Sequence, residues 1–285
     1  MIPAQFEYYC PRSLEEAVQF LAAHRDDVKI LSGGQSLVPL MKMRLAKPGY
    51  ILDINRLPGL NGIQEDGDRL VIGGLVTHAQ IEESQLLERQ CPLLPQTAAT
   101  IADVQVRNRG TIGGSIAHAD PAGDMPAAIL ALDAEIQAVG PRGERWIKAE
   151  EFFLGLLMSV LEPDEIVTAV RVPRTGDEKT AYLKAAPRSS GFAVVGVAAR
   201  LAIDAAGLCR AAAIGITGVT DKPYRAARVE QMLAGNKLEA GLVERAAEEA
   251  THNIDVIEDI NGSSEYRAQL TRVYVARAIH AALER

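Results

Sequence analysis

The sequence predicts an α+β protein of two domains. Its 285 residues suit two domains, or one large domain with subdomains. A polar segment with Pro and Gly, residues 173–177 (PRTGD), is typical of a domain boundary. After this segment the pattern is strands first and helices afterwards, which is the order of an α+β domain. We therefore expect one domain over residues 1–175 and a second domain over residues 176–285.

In the first domain, short apolar runs indicate strands and capping patterns indicate helix starts. Ser13 precedes Glu16 with the spacing of a capping box, and Thr77 precedes Gln80 in the same way. Apolar runs bounded by turn residues are typical of buried strands. The predicted strands cover residues 28–31, 50–54, 69–72, 135–139 and 166–172, and the predicted helices cover residues 14–21, 37–44, 77–83, 92–102 and 121–132.

The second domain is predicted to contain an antiparallel sheet followed by helices. Residues 204–207 (DAAG) have the composition of a hairpin turn between two of its strands. The predicted strands cover residues 180–185, 193–203 and 208–217, and the predicted helices cover residues 225–233, 238–251 and 266–283.

The composition excludes several classes of function. The net charge of -7 argues against a nucleic-acid surface, which needs concentrated Lys and Arg. No apolar run approaches the roughly 18 residues of a membrane span, and the N-terminal residues lack the pattern of a secretory signal. Three isolated cysteines fit a reducing cytoplasm and fall short of the four thiolates that an iron–sulfur cluster usually needs. The five histidines are scattered, so we expect no metal site.

Two segments with paired glycines are candidate phosphate-binding sites. They are SGGQS (Ser32, Gly33, Gly34, Gln35, Ser36) and TIGGS (Thr111, Ile112, Gly113, Gly114, Ser115). A backbone without Cβ atoms lets N–H groups approach phosphate oxygens, so the pyrophosphate of a dinucleotide would suit both segments. On this interpretation a valine at Gly33 or Gly113 would exclude the phosphates and leave the fold intact. Neither segment follows the Rossmann or P-loop pattern, and tight turns are the alternative interpretation.

Four single residues near these segments have both a structural and a functional interpretation. Asp120 before Pro121 fits an ordinary helix start, with Asp120 as the N-cap. Asp124 in the first helical turn is favoured by the helix dipole, and it could also accept a hydrogen bond from a ribose hydroxyl. His118 is more often a structural residue than a catalyst, and Lys184 is by default a solvated strand residue.

Three segments together resemble the FAD-binding medium subunits of the molybdenum hydroxylases. This family includes the flavoprotein subunits of carbon monoxide dehydrogenase, xanthine dehydrogenase and nicotine dehydrogenase. The segments are SGGQSLVPLMKMRLAKPGYILDINRL (32–57), RNRGTIGGSIAHADPAGDMPAAILALDA (107–134) and EEFFLGLLMSVLEPDEIVTAVRVP (150–173). The resemblance covers nearly the whole chain, since the last hundred or so residues resemble the C-terminal domain of the family.

The resemblance implies a fold and a cofactor site. The fold is a two-part FAD-binding domain like that of vanillyl-alcohol oxidase, with subdomains of about 1–56 and 57–175, followed by the C-terminal domain. Residues 32–36 and 111–115 would line the pyrophosphate and ribityl chain of a non-covalent FAD, and Asp124 would bind a hydroxyl. Ile101 would pack on the flavin side, and Leu161 and Lys184 would flank the isoalloxazine or adenine end. No catalytic residue or metal ligand is implied on this chain.

The resemblance also implies an electron-transfer role. A small partner subunit with [2Fe–2S] clusters and a large partner subunit with the molybdenum cofactor would complete the enzyme, as a dimer of heterotrimers. The FAD would accept electrons from the clusters and pass them to an external acceptor. Gln35 stands where carbon monoxide dehydrogenases often have His, and Ser115 where many relatives have Asn, so the substrate stays open. The four-cysteine insertion of the 4-hydroxybenzoyl-CoA reductase branch is absent. The implied location is the cytoplasm or the inner face of the membrane.

Two other functions stay open at this point. A self-contained FAD-dependent oxidase would need an acid or base near the flavin, and His118 is the only suggestive residue. A nucleotide-binding module without enzymatic activity would need only the two glycine segments.

Overall fold

The N-terminal part of the molecule is a parallel sheet of three strands covered by a helix. The structure, a computed structural model, describes residues 2–187 and 191–285. The strand order is β1-β3-β2, and helix α1 buries Ala17, Val18 and Leu21 against the sheet. The elements are β1 (Glu7–Tyr9), α1 (Leu14–Ala23), β2 (Val28–Leu31), α2 (Leu37–Lys42) and β3 (Tyr50–Asp53).

A five-stranded antiparallel sheet follows, with the strand order β4-β5-β10-β6-β7. Five successive residues of its central strand, from Ile166 to Val170, are buried, so both faces of that strand are covered. The strands are β4 (Ile63–Asp66), β5 (Arg69–Gly73), β6 (Glu135–Gly140), β7 (Gly143–Lys148) and β10 (Ile166–Pro173), with a small hairpin of β8 (Phe153–Gly155) and β9 (Met158–Ser159). The helices are α3 (His78–Glu82), α4 (Gln85–Gln90), α5 (Leu93–Ala98), α6 (Val104–Arg107), α7 (Ile112–His118), α8 (Asp124–Ala131) and α9 (Ala149–Phe152).

The C-terminal part is a four-stranded antiparallel sheet with helices on one face. The strand order is β11-β12-β13-β14, and the buried residues of α12 pack in the same core as those of β12. The strands are β11 (Lys179–Ala185), β12 (Val195–Ile203), β13 (Cys209–Thr217) and β14 (Tyr224–Arg225). The helices are α10 (Ala227–Leu233), α11 (Ala240–Glu248), which continues as a 3₁₀ turn (Glu249–Thr251), and α12 (Ser264–Leu283).

Helix α8 lies between the five-stranded sheet and the C-terminal sheet, and all eight of its residues are buried. Gly215 of β13 makes this contact possible, because a Cβ there would lie 2.1 Å from the carbonyl oxygen of Ala127. The C-terminal sheet also binds both ends of the helix. Thr217 Oγ1 donates to the carbonyl oxygen of Pro121 (2.5 Å), and Arg225 Nη1 donates to that of Leu130 (3.1 Å).

The α+β class is confirmed, with an antiparallel C-terminal sheet and helices after it. The predicted helix at 121–132 is shorter, because it begins at Asp124 with Gly123 as N-cap. The carbonyl oxygen of Pro121 accepts from Thr217 and from the N–H of Gly218, so it is not used for a first helical turn. Asp120 is therefore not the helix N-cap that the sequence suggested, and its carboxylate instead accepts from the N–H of Ala122.

The second glycine segment is the start of a helix and not a loop. Thr111 is the N-cap of α7, and its Oγ1 accepts from the N–H of Gly114 (3.1 Å). Strands β4 and β7 were not predicted from the sequence. Three of the four residues of β4 are exposed and polar, so the strand lacks the apolar run by which strands were recognised.

Candidate cofactor-binding site

A cavity of about 630 Å³ lies where the two glycine segments meet, within the size range of small-molecule and cofactor sites. Twelve of the fourteen residues that were predicted to bind the cofactor line this cavity. They are Ser32, Gly33, Gly34, Gln35, Ser36, Ile101, Thr111, Gly113, Gly114, Ser115, Asp124 and Leu161. The other two, Ile112 and Lys184, do not line this cavity.

The protein's own backbone explains two of the glycines. A Cβ on Gly33 would lie 2.2 Å from the carbonyl oxygen of Arg109, and a Cβ on Gly113 would lie 2.6 Å from that of Gly74. The two glycine segments therefore pack directly on neighbouring backbone, which leaves no space for side chains. Gly34 must be glycine for a different reason, because its φ of +75° is a backbone conformation that favours glycine. The expectation that a valine at Gly33 or Gly113 would leave the fold intact is therefore wrong, because its Cβ would clash with this backbone.

The backbone N–H groups of the two segments are used differently. From Ile112 to Ser115, all four N–H groups donate within the protein, to Val76 O, Gly74 O and the side chain and carbonyl of Thr111. From Gly33 to Ser36, none of the four N–H groups donates to any acceptor in the described residues. The capacity to bind an anion through backbone N–H groups thus lies in the first segment.

Hydroxyl groups join the two segments at the cavity wall. Ser32 Oγ and Thr111 Oγ1 are 2.7 Å apart and share a hydrogen bond. Asn55 also holds the first segment in place, since its Nδ2 donates to the carbonyl oxygen of Ser32 (2.9 Å). The side-chain hydroxyls of Ser36 and Ser115 have no hydrogen-bond partner in the described residues and are available to a ligand.

A buried acidic residue, Asp124, lines the cavity and is held by two partners from β11 that lie behind it. Asp124 Oδ1 accepts from the hydroxyl of Tyr182 (2.6 Å), and Lys184 Nζ lies 3.0 Å from the same carboxylate. Burial raises the pKa of Asp124, and the nearby Lys184 ammonium opposes that rise. Since a carboxylate has about four lone-pair sites, Asp124 retains acceptor capacity toward the cavity.

Lys184 is a structural cation and not the solvated strand residue that its type suggests. Its side chain is 7% exposed. Besides Asp124, its ammonium donates to the carbonyl oxygens of Thr100 and Gly191, both at 2.7 Å. Its three N–H bonds are all used in this way, so it ties three segments together around the cavity.

Two histidines line the cavity, and only His118 was a candidate from the sequence. His118, at the end of α7, has no hydrogen-bond partner in the described part of the chain. His78, at the start of α3, is buried, and burial lowers its pKa to about 4. The sequence carried no signal for His78, because it only follows the capping residue Thr77 and is 32 residues before Gly110, which it contacts.

Residues 2–187 and 191–285 contain no group of three or more His, Cys, Asp or Glu side chains that could hold a metal ion. Among the same residues, no helix is long and apolar enough to cross a membrane.

Comparison with known proteins finds matches along the whole chain. Residues 4–175 match the family model of the FAD-binding domain in molybdopterin dehydrogenase, and residues 180–282 match that of the CO dehydrogenase flavoprotein C-terminal domain. The chain is 38% identical to subunit alpha of the 6-hydroxypseudooxynicotine dehydrogenase complex of Paenarthrobacter nicotinovorans, over 100% of this chain and 97% of the relative. It is 37% identical to the carbon monoxide dehydrogenase medium chain of Hydrogenophaga pseudoflava, over 100% of this chain and 99% of the relative. A solved structure of carbon monoxide dehydrogenase from the same organism superimposes with a TM-score of 0.97 at 38% identity, covering 100% of this chain and 99% of that chain.

Proposed function

Because the chain belongs to the family of FAD-binding medium subunits of molybdenum hydroxylases, we propose that it holds one non-covalent FAD and relays electrons within a multi-subunit oxidoreductase. The observation that carries this proposal is the coincidence of two findings. The family match spans both parts of the chain, and twelve of the fourteen residues implied by the resemblance line one cavity.

The free groups of the cavity suggest how the cofactor is held. The N–H groups from Gly33 to Ser36 bind the pyrophosphate, with the hydroxyls of Ser32, Thr111 and Ser115 beside them. Asp124 accepts from a cofactor hydroxyl. The apolar side chains of Ile101 and Leu161 pack against the ring system. Ile112 and Lys184 do not line the cavity. Lys184 contributes indirectly, because its ammonium holds the Asp124 carboxylate in place.

FAD supplies the redox chemistry, and the chain supplies binding, orientation and electrostatics. Electrons reach the FAD from the [2Fe–2S] clusters of a small partner subunit, after a large partner subunit has oxidised the substrate at its molybdenum cofactor. They then leave to an external acceptor. The names of the relatives, which include a medium chain and lettered subunits, support an assembly of several subunits. We propose a dimer of heterotrimers in the cytoplasm or at the inner face of the membrane.

The division of the chain into domains is part of the proposal. We place a FAD-binding domain at 1–175, with subdomains of about 1–56 and 57–175, and a C-terminal domain at 176–285. Each of the three main sheets has its own main cluster of buried side chains, which supports this division, and some side chains such as Ile166 and Ala213 pack across the boundaries. So do the two consecutive family matches, which end at 175 and begin at 180.

The alternative of a self-contained oxidase finds little support at the cavity. Of its two histidines, His118 has no partner among the described residues, and His78 has a lowered pKa of about 4 that makes it a weak base.

The content of the purified chain tests the binding of FAD. We expect a flavin spectrum that dithionite bleaches, at one flavin per chain, and yellow flavin in the supernatant after acid precipitation. Flavin that stays with the precipitate would contradict non-covalent binding. A chain that takes up no FAD on reconstitution would contradict the proposal that FAD is the cofactor.

Co-expression with neighbouring reading frames tests the relay. We expect molybdenum and iron to co-purify with the chain in size-exclusion chromatography, and only that complex to oxidise the organic or gaseous substrate. If the isolated, metal-free chain turned over an alcohol, amine or aldehyde at roughly 1–10³ per second, the chain would be a self-contained oxidase and not an electron-transfer subunit.

A further inference from the structure

Arg267 is a buried arginine on helix α12, with 2% of the residue exposed. It is the fourth residue of that helix, near the end where the helix dipole disfavours a positive charge. Burial of a charged group is also unfavourable unless the group is paired. The preferences of the helix therefore do not explain an arginine at this position, and the reason for it lies in its contacts.

The guanidinium of Arg267 joins two segments of the C-terminal domain, residues 191–194 and 217–218. Its Nη1 donates to the carbonyl oxygens of Val194 (2.8 Å) and Gly218 (2.5 Å), and its Nη2 donates to Asp259 Oδ1 (2.5 Å). Gly218 has a φ of +84°, and a Cβ there would lie 2.7 Å from the carbonyl oxygen of Val194. The two segments therefore approach closely, and Arg267 supplies a donor that their two carbonyl oxygens share.

The same two segments hold the turn that precedes Asp124, residues 120–123. The N–H of Gly218 and the N–H of Ala193 each donate to a carbonyl oxygen of this turn, at 2.6 Å and 3.2 Å. Each of these bonds is made by a residue that Arg267 binds or by the direct neighbour of such a residue. Because the turn leads directly into Asp124, its position determines where the first residue of α8 lies.

A second connection from Arg267 to Asp124 runs through Lys184. The N–H of Val194 donates to the carbonyl oxygen of the residue after Lys184 (2.8 Å), and the carbonyl oxygen of Gly191 accepts from Lys184 Nζ (2.7 Å). The Lys184 ammonium lies 3.0 Å from the Asp124 carboxylate. The segment that Arg267 holds thus also helps to place the cation beside Asp124.

A role in packing alone does not account for an arginine with these contacts. Val275 and Ile279 of α12 already pack in the core of the C-terminal domain. Replacing a buried ion pair by apolar residues of similar volume is often neutral or stabilising, so an apolar side chain would also serve packing. What the arginine adds is a rigid plane of N–H donors, which fixes the carbonyl groups that it binds.

We propose that Arg267 is a positioning residue of the cofactor cavity and acts through Asp124. This inference rests on the proposed function. Arg267 does not line the cavity, so it does not touch the cofactor. By holding the two segments, it fixes the turn before Asp124 and the position of Lys184. The Asp124 carboxylate is thereby directed toward the cofactor hydroxyl in advance, and a group that needs no reordering on binding raises the affinity.

A double-mutant cycle in the full-length chain tests this role. Arg267→Met removes the donors and keeps much of the apolar volume of the side chain, and Asp124→Asn removes the charge of the carboxylate. We expect Arg267→Met to raise the dissociation constant for FAD about tenfold in the original chain. In the Asp124→Asn chain the same substitution should raise it less than about twofold, because a residue that acts through Asp124 is not independent of it.

Two further variants separate the donors of Arg267 from the loss of any arginine. Arg267→Lys should recover part of the affinity, since its ammonium can donate to both carbonyl oxygens. Arg277 is an exposed arginine of the same helix that lies over the ring of Tyr274. Arg277→Met is the matched control and should leave the affinity for FAD unchanged.

Quenching of flavin fluorescence measures the dissociation constants, and urea unfolding of the FAD-free chain shows whether each variant is folded. An unchanged affinity for FAD in Arg267→Met would overturn the inference. Equal losses in the original chain and in Asp124→Asn would also overturn it, because a general effect on the fold does not depend on Asp124. An original chain that binds no FAD would instead refute the proposed function.

Two substitutes apply where a variant fails. If Arg267→Met does not fold, Arg267→Gln takes its place in the cycle. If Asp124→Asn binds no FAD, the ¹³C resonance of the Asp124 carboxyl group in the FAD-free chain decides. We expect the substitution at Arg267 to move this resonance, and an unmoved resonance would overturn the inference.

Discussion

Adding a single methyl group at Gly33 should destabilise this protein even when no cofactor is present. In Gly33→Ala the new Cβ would lie 2.2 Å from the carbonyl oxygen of Arg109 and 2.8 Å from Cα of Gly110. Carbon and oxygen atoms in ordinary contact are roughly 3.4 Å apart, so the segments must separate by about 1.2 Å. Such overpacking costs about 1–3 kcal/mol, and loss of the Ser32–Thr111 hydrogen bond adds about 1 kcal/mol. We expect a total loss of about 2–4 kcal/mol.

Urea unfolding of the FAD-free chain measures this loss. Trp146 is the one tryptophan of the chain and lies in β7, so its fluorescence reports on the five-stranded sheet. Gly62→Ala is the matched control, because a Cβ at Gly62 has no atom within 4 Å. It should leave stability unchanged or raise it slightly. If Gly33→Ala were as stable as the original but bound no FAD, the glycine would serve the cofactor and the packing argument would be wrong.

Two further predictions concern buried ionisable groups. The folded chain has a His78 pKa of about 4 against an ordinary 6.5, so the unfolded chain binds the extra proton between these values. Stability should therefore fall as the pH drops, by about 2 kcal/mol between pH 7.5 and pH 5, and His78→Phe should lack this component in urea unfolding at both pH values. Lys184→Met should lower the free energy of unfolding by about 3–5 kcal/mol and weaken FAD binding, because it leaves the buried Asp124 carboxylate without the Lys184 ammonium. Tyr182→Phe should lower the free energy of unfolding by only about 1–3 kcal/mol. Lys179→Met, earlier on the same strand, should leave it nearly unchanged. Equal effects of all three substitutions would contradict the importance of the buried Lys184–Asp124 pair.

The sequence predicted most strands that lie in the cores, because their apolar runs are local signals. Strands 28–31 and 69–72 have nearly the predicted bounds, and the Thr77–Gln80 capping box forms as the pattern suggested. The elements that were missed depend on partners elsewhere in the chain. Strand β4 is polar and mostly exposed, and it is a strand only because it pairs with β5.

The site shows the same division between local and distant causes. The glycine segments could be found from their composition, and the structure brings them to one cavity. Two other features rest on contacts across the chain. Gly33 is fixed by the backbone at Arg109, and Lys184 is buried by Thr100, Gly191 and Asp124. No spacing rule in a single sequence signals such pairs.

The C-terminal sheet takes part in building the cofactor cavity, although none of its described strand residues lines it. The cavity depends on Asp124, which is the first residue of α8. That helix start is fixed by Thr217, whose hydroxyl donates to the carbonyl oxygens of Pro121 and Gly123, and Tyr182 and Lys184 hold the carboxylate itself. All of these partners come from residues after 178, so the position of Asp124 depends on the docked C-terminal sheet. A chain cut before residue 179 would retain both glycine segments and lose the groups that orient this end of the cavity, which explains why the two parts form one cofactor site.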